Sequence, residues 1–311
     1  MRIVSLLPAA TEIVCALGLR ENLVGRSHEC DFPADVSGLP ALTRSRVDSS
    51  LPSEALDARV RELYREGVPL YELDEKRLQA LAPDVVVTQE ACEVCAVSLG
   101  QVQASLARVG SRARIVPLRP SRLAHVVDDV ERVAEACGMA ERGHEVAHEL
   151  RRRLDRYRSS QNGGVRPRVA MIEWLEPPML AGHWMPEAIE AAGGIALGPT
   201  AGAASPYTSW DELKSLRPDA VVVAPCGFDL ARTRAEALPL AARLRALAPR
   251  TLLVDGNAYF NRPGPRLVDA VELLGAWLRG DAAPYAGAVP LSVLGLAGAG
   301  PPPAIPPGVV A

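Results

Sequence analysis

The sequence predicts an α/β protein of two Rossmann-like lobes joined by a long interlobe helical segment, and three observations carry that expectation. The first is an internal echo: Leu78-Gln79-Ala80-Leu81-Ala82-Pro83-Asp84-Val85-Val86-Val87 returns as Leu213-Lys214-Ser215-Leu216-Arg217-Pro218-Asp219-Ala220-Val221-Val222. The second is the form of each copy. A short amphipathic helix stops at the Pro-Asp pair, and a continuous apolar run follows, of the kind a parallel sheet buries on both faces. The third is where each run leads. Thr88-Gln89-Glu90-Ala91-Cys92-Glu93-Val94-Cys95 follows the first and Ala224-Pro225-Cys226-Gly227 the second, so both lobes place a cysteine-bearing loop at the carboxyl end of a strand. Open α/β sheets bind their ligands at that edge.

The other elements fit the same plan. Residues 2–6 read as a strand, residues 8–17 as a helix with Pro8 in its first turn and Gly18 beyond its end, and residues 23–26 as a second strand. That is a βαβ unit. A polar helix is expected over 51–67 and a short strand over 70–73, before the first echo copy. Residues 97–109 then read as a helix and 113–117 as a strand. Between the lobes, residues 121–157 read as two helices divided at Gly138, with Leu123, Val126, Val130 and Val133, then Val146, Leu150 and Leu154, on apolar stripes. A strand over 168–174 opens the second lobe, another spans 251–254, and a helix over 267–278 ends it. The expected domains are a first lobe over 1–120, the helical segment over 121–160, the second lobe over 161–280 and a disordered Ala/Pro/Gly-rich tail over 281–311.

Composition narrows the function. A chain of 311 residues, 48% hydrophobic, can bury two ordinary cores, and a formal charge of -3 argues against a nucleic-acid binder. Met1-Arg2-Ile3-Val4-Ser5-Leu6-Leu7-Pro8 enters a core strand with no signal-peptide pattern before it, which gives a cytoplasmic expectation. In that compartment cysteines serve as thiols or metal ligands more than as disulfides.

Ile3-Val4-Ser5-Leu6-Leu7-Pro8-Ala9-Ala10-Thr11-Glu12 with Ala16-Leu17-Gly18, the two Leu-x-x-Leu-x-Pro-Asp copies, the interlobe helices and Gly264-Pro265-Arg266-Leu267 together resemble the class III, helical-backbone family of periplasmic-binding-protein-like proteins. The resemblance covers about residues 2–280. Met171-Ile172-Glu173-Trp174-Leu175-Glu176-Pro177-Pro178, Gly182 and Ala192-Gly193-Gly194 are most similar to its cobalamin- or corrinoid-binding branch, relatives of the substrate-binding proteins of ABC transporters. The resemblance implies two α/β lobes, a ligand cleft between them, and a corrinoid or related metal-bearing macrocycle as ligand. A monomer is expected. In transporter-serving relatives each lobe docks through a carboxylate; Glu75-Lys76-Arg77 here is basic where that carboxylate is sought, while the second lobe offers Trp210-Asp211-Glu212, so a symmetric dock on an ABC permease is not expected.

Two sets of site residues follow. Pro8 and Gln89 in the first lobe and Trp174, His183, Trp184 and Trp210 in the second are the ligand-binding candidates, the tryptophans because a large flat ring stacks on indole. Tyr259, Asn261 and Arg262 follow the strand over 251–254, where a guanidinium can meet carboxylates on a macrocycle's rim. The second set is His28, Cys30, Cys92 and Cys95. A Cys-x-x-Cys pair opening a helix can share one ion, and with Cys30 and His28 it would suit zinc or an iron-sulfur cluster. The plain alternative is that Cys30 and Cys95 pack as small hydrophobes. The rival to a binding protein is therefore a thiol- or metal-dependent enzyme using Cys30, Cys92 and Cys95.

Overall fold

The protein is seen as a computed structural model that describes residues 1–90, 96–160, 165–281 and 287–293. It divides into two compact units, one of Met1–Leu51, Ala55–Pro120 and Ala124–Arg151, the other of Pro52–Glu54, Ser121–Leu123 and the chain from Arg152 onward.

In the first unit the elements run β1 (Ile3–Ser5), α1 (Pro8–Ala16), β2 (Leu23–Arg26), β3 (Thr43–Ser45), α2 (Ser53–Arg65), β4 (Tyr71–Leu73), α3 (Glu75–Leu81), β5 (Val85–Gln89), α4 (Leu99–Arg108) and β6 (Arg114–Leu118). Strands β2, β1, β5 and β6 form a parallel sheet in that order, with Ile3 opposite both Leu23 and Val85. All five residues of β5 are buried, as a strand covered on both faces requires. The expected strand over 70–73 pairs outside this sheet, antiparallel to β3.

The helical segment is α5 (Leu123–Ala136) and α6 (Ala140–Ser160), and Gly138, at φ +70°, lies between them as its sequence position requires. The chain passes from one unit to the other within α6. Arg151 bonds Asp128 and Glu131 of α5, whereas Arg153, two residues on, bonds Asp269 and Glu272 of the second unit.

The second unit contains β7 (Arg168–Leu175), β8 (Pro178–Leu180), α7 (Met185–Ala191), β9 (Ile195–Leu197), α8 (Trp210–Ser215), β10 (Ala220–Val223), α9 (Leu230–Ala237), α10 (Ala241–Leu247), β11 (Arg250–Val254), a π turn (Gly256–Phe260), α11 (Leu267–Arg279) and β12 (Ala288–Pro290). Its sheet runs β12-β11-β10-β7-β8, with β9 also paired to β7, and β7, β10, β11 and β9 are mutually parallel. The expected tail is corrected here: residues 288–290 pair antiparallel with β11. A three-residue strand carries almost no local signal, and only the open edge of β11 selects it.

The echo is structural down to its hydrogen bonds. Asp84 accepts the Arg2 backbone N–H at 2.7 Å, and the Arg2 guanidinium donates to the carbonyl of Leu81 at 2.7 Å. In the second copy Asp219 accepts the Arg168 N–H at 2.7 Å, and Arg168 donates to Leu216 at 2.8 Å. Each arginine opens a strand and satisfies a helix-end carbonyl of the next βα repeat.

Candidate functional site

In the second unit the parallel strands β7, β10 and β11 end side by side, and the loops leaving them are tied together. Asn261 donates its side-chain N–H to the Ala224 carbonyl at 2.8 Å. Asn257 N–H reaches the Phe228 carbonyl at 3.1 Å, and Cys226 N–H reaches Glu173 at 3.0 Å. Trp174 at the end of β7 packs on Phe228 with ring centroids 5.2 Å apart, and the Arg232 guanidinium lies 3.6 Å above the Phe228 ring. Gly256 has no room for a side chain, because a Cβ would meet the Ala224 and Pro225 backbone.

Helix α7 starts at this same edge. Strand β8 turns back along the last residues of β7 and brings Leu180 opposite Ile172, the level at which β10 ends, so α7 begins near that edge. Trp184, just before α7, donates its indole N–H to the Phe260 carbonyl at 3.0 Å and so fastens the helix start to the loop after β11. His183 stacks beside it with ring centroids 5.8 Å apart and 29° between planes. Burial holds the His183 imidazole below its ordinary pKa, which leaves it neutral.

Of the candidates in this unit, the structure places Trp174, His183 and Trp184, all half-buried, on the carboxyl edge. The others differ from expectation. Trp210 packs against the core beneath α8, with Arg243 5.8 Å from its ring centroid. Tyr259 is 8% exposed, its ring lies against Gly287, and burial raises its phenol pKa. Arg262 is 5% exposed and turns inward to bond Asn257 at 2.9 Å. Asn261 is spent on the Ala224 carbonyl. These side chains build the loop rather than offer a rim, because a loop over a buried edge must satisfy its own polar groups first. Phe228 and Phe260, which anchor the two tryptophans, were not anticipated, since nothing local distinguishes them from core residues.

The first unit's carboxyl edge is built from hydroxyls. The Thr11 hydroxyl lies 2.8 Å from Ser5 Oγ and 3.0 Å from Cys30 Sγ, all buried. Thr43 Oγ1 lies 3.0 Å from Ser27 Oγ and 2.7 Å from His28 Nδ1, and it also accepts the His28 backbone N–H. Burial, then Arg26, holds the His28 pKa below its ordinary value. Pro8 is buried in the first turn of α1, and Gln89 ends β5, also buried. Cys92 and Cys95 lie outside the described residues. Among the described residues no three His, Cys, Asp or Glu gather as a metal site, and Cys30 is a packed thiol beside Thr11. A zinc or iron-sulfur centre therefore has no geometric support from His28 and Cys30.

A cavity of about 300 Å³ lined by Arg245, Arg250, Trp277 and Leu291 lies at the amino end of β11, on the opposite edge of the sheet. There Arg250 is tied to the Trp277 and Leu278 carbonyls, a packing role.

Residues 3–251 match the periplasmic binding protein family. The Vitamin B12-binding protein of Vibrio cholerae serotype O1 is 23% identical over 283 residues, covering 89% of each chain. Among solved structures, the periplasmic vitamin B12 binding protein of Vibrio cholerae superposes with a TM-score of 0.64 at 21% identity, over 90% of this chain and 97% of that one. A periplasmic heme binding protein from Pseudomonas aeruginosa superposes with a TM-score of 0.67 at 22% identity, over 92% and 95%. The cytoplasmic expectation is overturned by these matches, which are to a family and to relatives described as periplasmic. It rested on the lack of a signal-peptide pattern before the first strand, which does not decide the compartment.

Proposed function

Because the chain belongs to the periplasmic binding protein family, we propose that it is a solute-binding protein for a metal-bearing macrocycle, with a corrinoid as the ligand. The observation that carries this reading is the half-buried set of Trp174, His183 and Trp184 on one sheet edge, each indole fixed by a hydrogen bond to a backbone carbonyl. A flat ring of large apolar area gains most from aromatic faces that are already immobile, since little side-chain entropy is lost on binding. The corrinoid is preferred because relatives named for vitamin B12 align over 89% of the chain. Heme-named neighbours support the fold and a macrocycle of similar shape. The thiol-enzyme alternative draws no support from Cys30, whose sulfur is buried against Thr11.

Of the three acids at the positions weighed for docking on a permease, two are engaged within their own unit. Glu75 is held by Arg108 and Ser105, and Glu212 closes the capping box of α8.

The test is spectroscopic. Protein is mixed with hydroxocobalamin or hemin, passed through a desalting column and scanned. Retained corrinoid absorbance near one equivalent, weakened in Trp184→Ala, is expected. Hemin retention alone would move the ligand to haem, and retention of neither would sink the reading.

A further inference from the structure

The cavity at the amino end of β11 has a lining that packing alone does not explain. It measures about 300 Å³, and its wall carries two arginines, Arg245 from α10 and Arg250 from β11, with no aspartate or glutamate. Arg250 is held in place. Its guanidinium donates to the Trp277 and Leu278 carbonyls at the end of α11 and lies 4.5 Å from the Trp277 ring centroid. Those two bonds leave the rest of its five N–H donors unspent among the described residues. Arg245 is exposed and has no hydrogen bond or ion pair among the described residues. Elsewhere in this unit a guanidinium is met by carboxylates, as Arg153 is by Asp269 and Glu272. The rest of the wall includes the apolar side chains of Trp277, 7% exposed, and Leu291, 2% exposed. Thr251 also lines the cavity, and its buried hydroxyl has no hydrogen-bond partner among the described residues.

We propose that this cavity is a second binding site, taking a small amphipathic anion: a carboxylate or sulfonate on an apolar body of one or two rings. The site lies on the opposite edge of the sheet from the candidate macrocycle site and does not depend on that reading. The acid group offsets two like charges that the chain leaves uncompensated, and it accepts charge-assisted hydrogen bonds from guanidinium N–H groups. The apolar body covers Trp277 and Leu291, where an aromatic wall favours a flat ring. Volume sets the size. A space of about 300 Å³ is at the lower end for small-molecule sites, which admits a ring or two and excludes a macrocycle. Inorganic phosphate would meet the charges but leave the apolar wall wet, so it is the weaker ligand.

The experiment titrates the full chain with 2-naphthoate, followed by calorimetry and by quenching of tryptophan fluorescence. 2-Naphthamide, its neutral counterpart, and inorganic phosphate are the comparisons. About one equivalent of 2-naphthoate is expected to bind, with the amide and phosphate each about tenfold weaker or more. Arg245→Gln should weaken 2-naphthoate about tenfold and Arg245→Glu further, while Arg245→Lys, which keeps the charge, should retain most of the binding. All three should melt with the intact protein, because the side chain is exposed. Arg112→Gln makes the same charge change at an exposed arginine of the first unit and should leave binding unaltered. The proposal is overturned if the amide or phosphate binds as tightly as 2-naphthoate, if Arg245→Gln binds like the intact protein, if Arg245→Lys loses as much as Arg245→Gln, or if 2-naphthoate does not bind. Hydroxocobalamin retention should be the same in Arg245→Gln, so the two sites succeed or fail separately.

Discussion

The two echo copies sit on the same scaffold but lead to different edges. Behind each Pro-Asp pair an arginine–aspartate clamp closes the amino edge with the same bonds, Arg2 to Asp84 and Leu81, Arg168 to Asp219 and Leu216. At the carboxyl edges the resemblance ends. The first unit joins its loops through Ser5, Thr11, Ser27, Thr43 and a thiol; the second uses Trp174, Phe228, Trp184 and the Asn261 amide. The amino edge only has to turn a helix into a strand, a task with one local solution. Open α/β sheets bind ligands at the carboxyl edge, so on the proposed function its residues follow the ligand's chemistry.

The comparison can be broken at several points. The largest effect is expected from Leu78→Ala and Leu213→Ala, the first leucines of the two copies and both fully buried. Each should destabilise its unit by about 2–5 kcal/mol in denaturant unfolding. A loss in one and none in the other would show that the copies are packed differently.

Next come the clamps. Asp84→Ala and Asp219→Ala each remove an acceptor from a strand's first N–H, and each should cost about 1 kcal/mol. The asparagine versions keep an acceptor and should recover most of that. If asparagine were as damaging as alanine, the clamp would be a matter of charge and not of hydrogen bonding.

A smaller gain is expected at the residue before each proline. Ala82 and Arg217, both exposed, hold φ values of +40° and +49°. Glycine relieves that strain but loosens the unfolded chain, so Ala82→Gly and Arg217→Gly should each stabilise by about 0.5 kcal/mol. A measured loss in thermal melts would contradict this.

The subtlest contrast concerns acid, through one histidine in each unit. His28 and His183 have folded pKa values below the ordinary 6.5. The unfolded chain therefore takes up protons first as pH falls through about 6.5, and stability drops from there down to the folded values. Replacing both by asparagine should flatten the fall in melting temperature between neutral pH and about pH 5. An unchanged slope would mean that neither ring is desolvated.

The sequence by itself determined the βα repeats, the helix-to-strand turns, the break at Gly138 and the family resemblance. All of these are written in neighbouring residues: a proline stops a helix, an apolar run fills a two-sided sheet, and a glycine permits a left-handed turn. It also singled out Trp174, His183 and Trp184, which the structure places half-buried on the carboxyl edge of the second unit's sheet. Only the tertiary structure decided which candidates were already committed. Tyr259, Asn261 and Arg262 look like a binding rim in sequence, yet Tyr259 is buried with its ring close to Gly287, and Asn261 and Arg262 are hydrogen-bonded to Ala224 and Asn257. The same holds for residues 288–290, which become a strand because β11 has an open edge, and for His183, whose left-handed backbone, at φ +52°, is held by Ala203 and Gly202. A buried polar group takes the nearest partner the fold supplies, and for most of these residues that partner is distant in sequence.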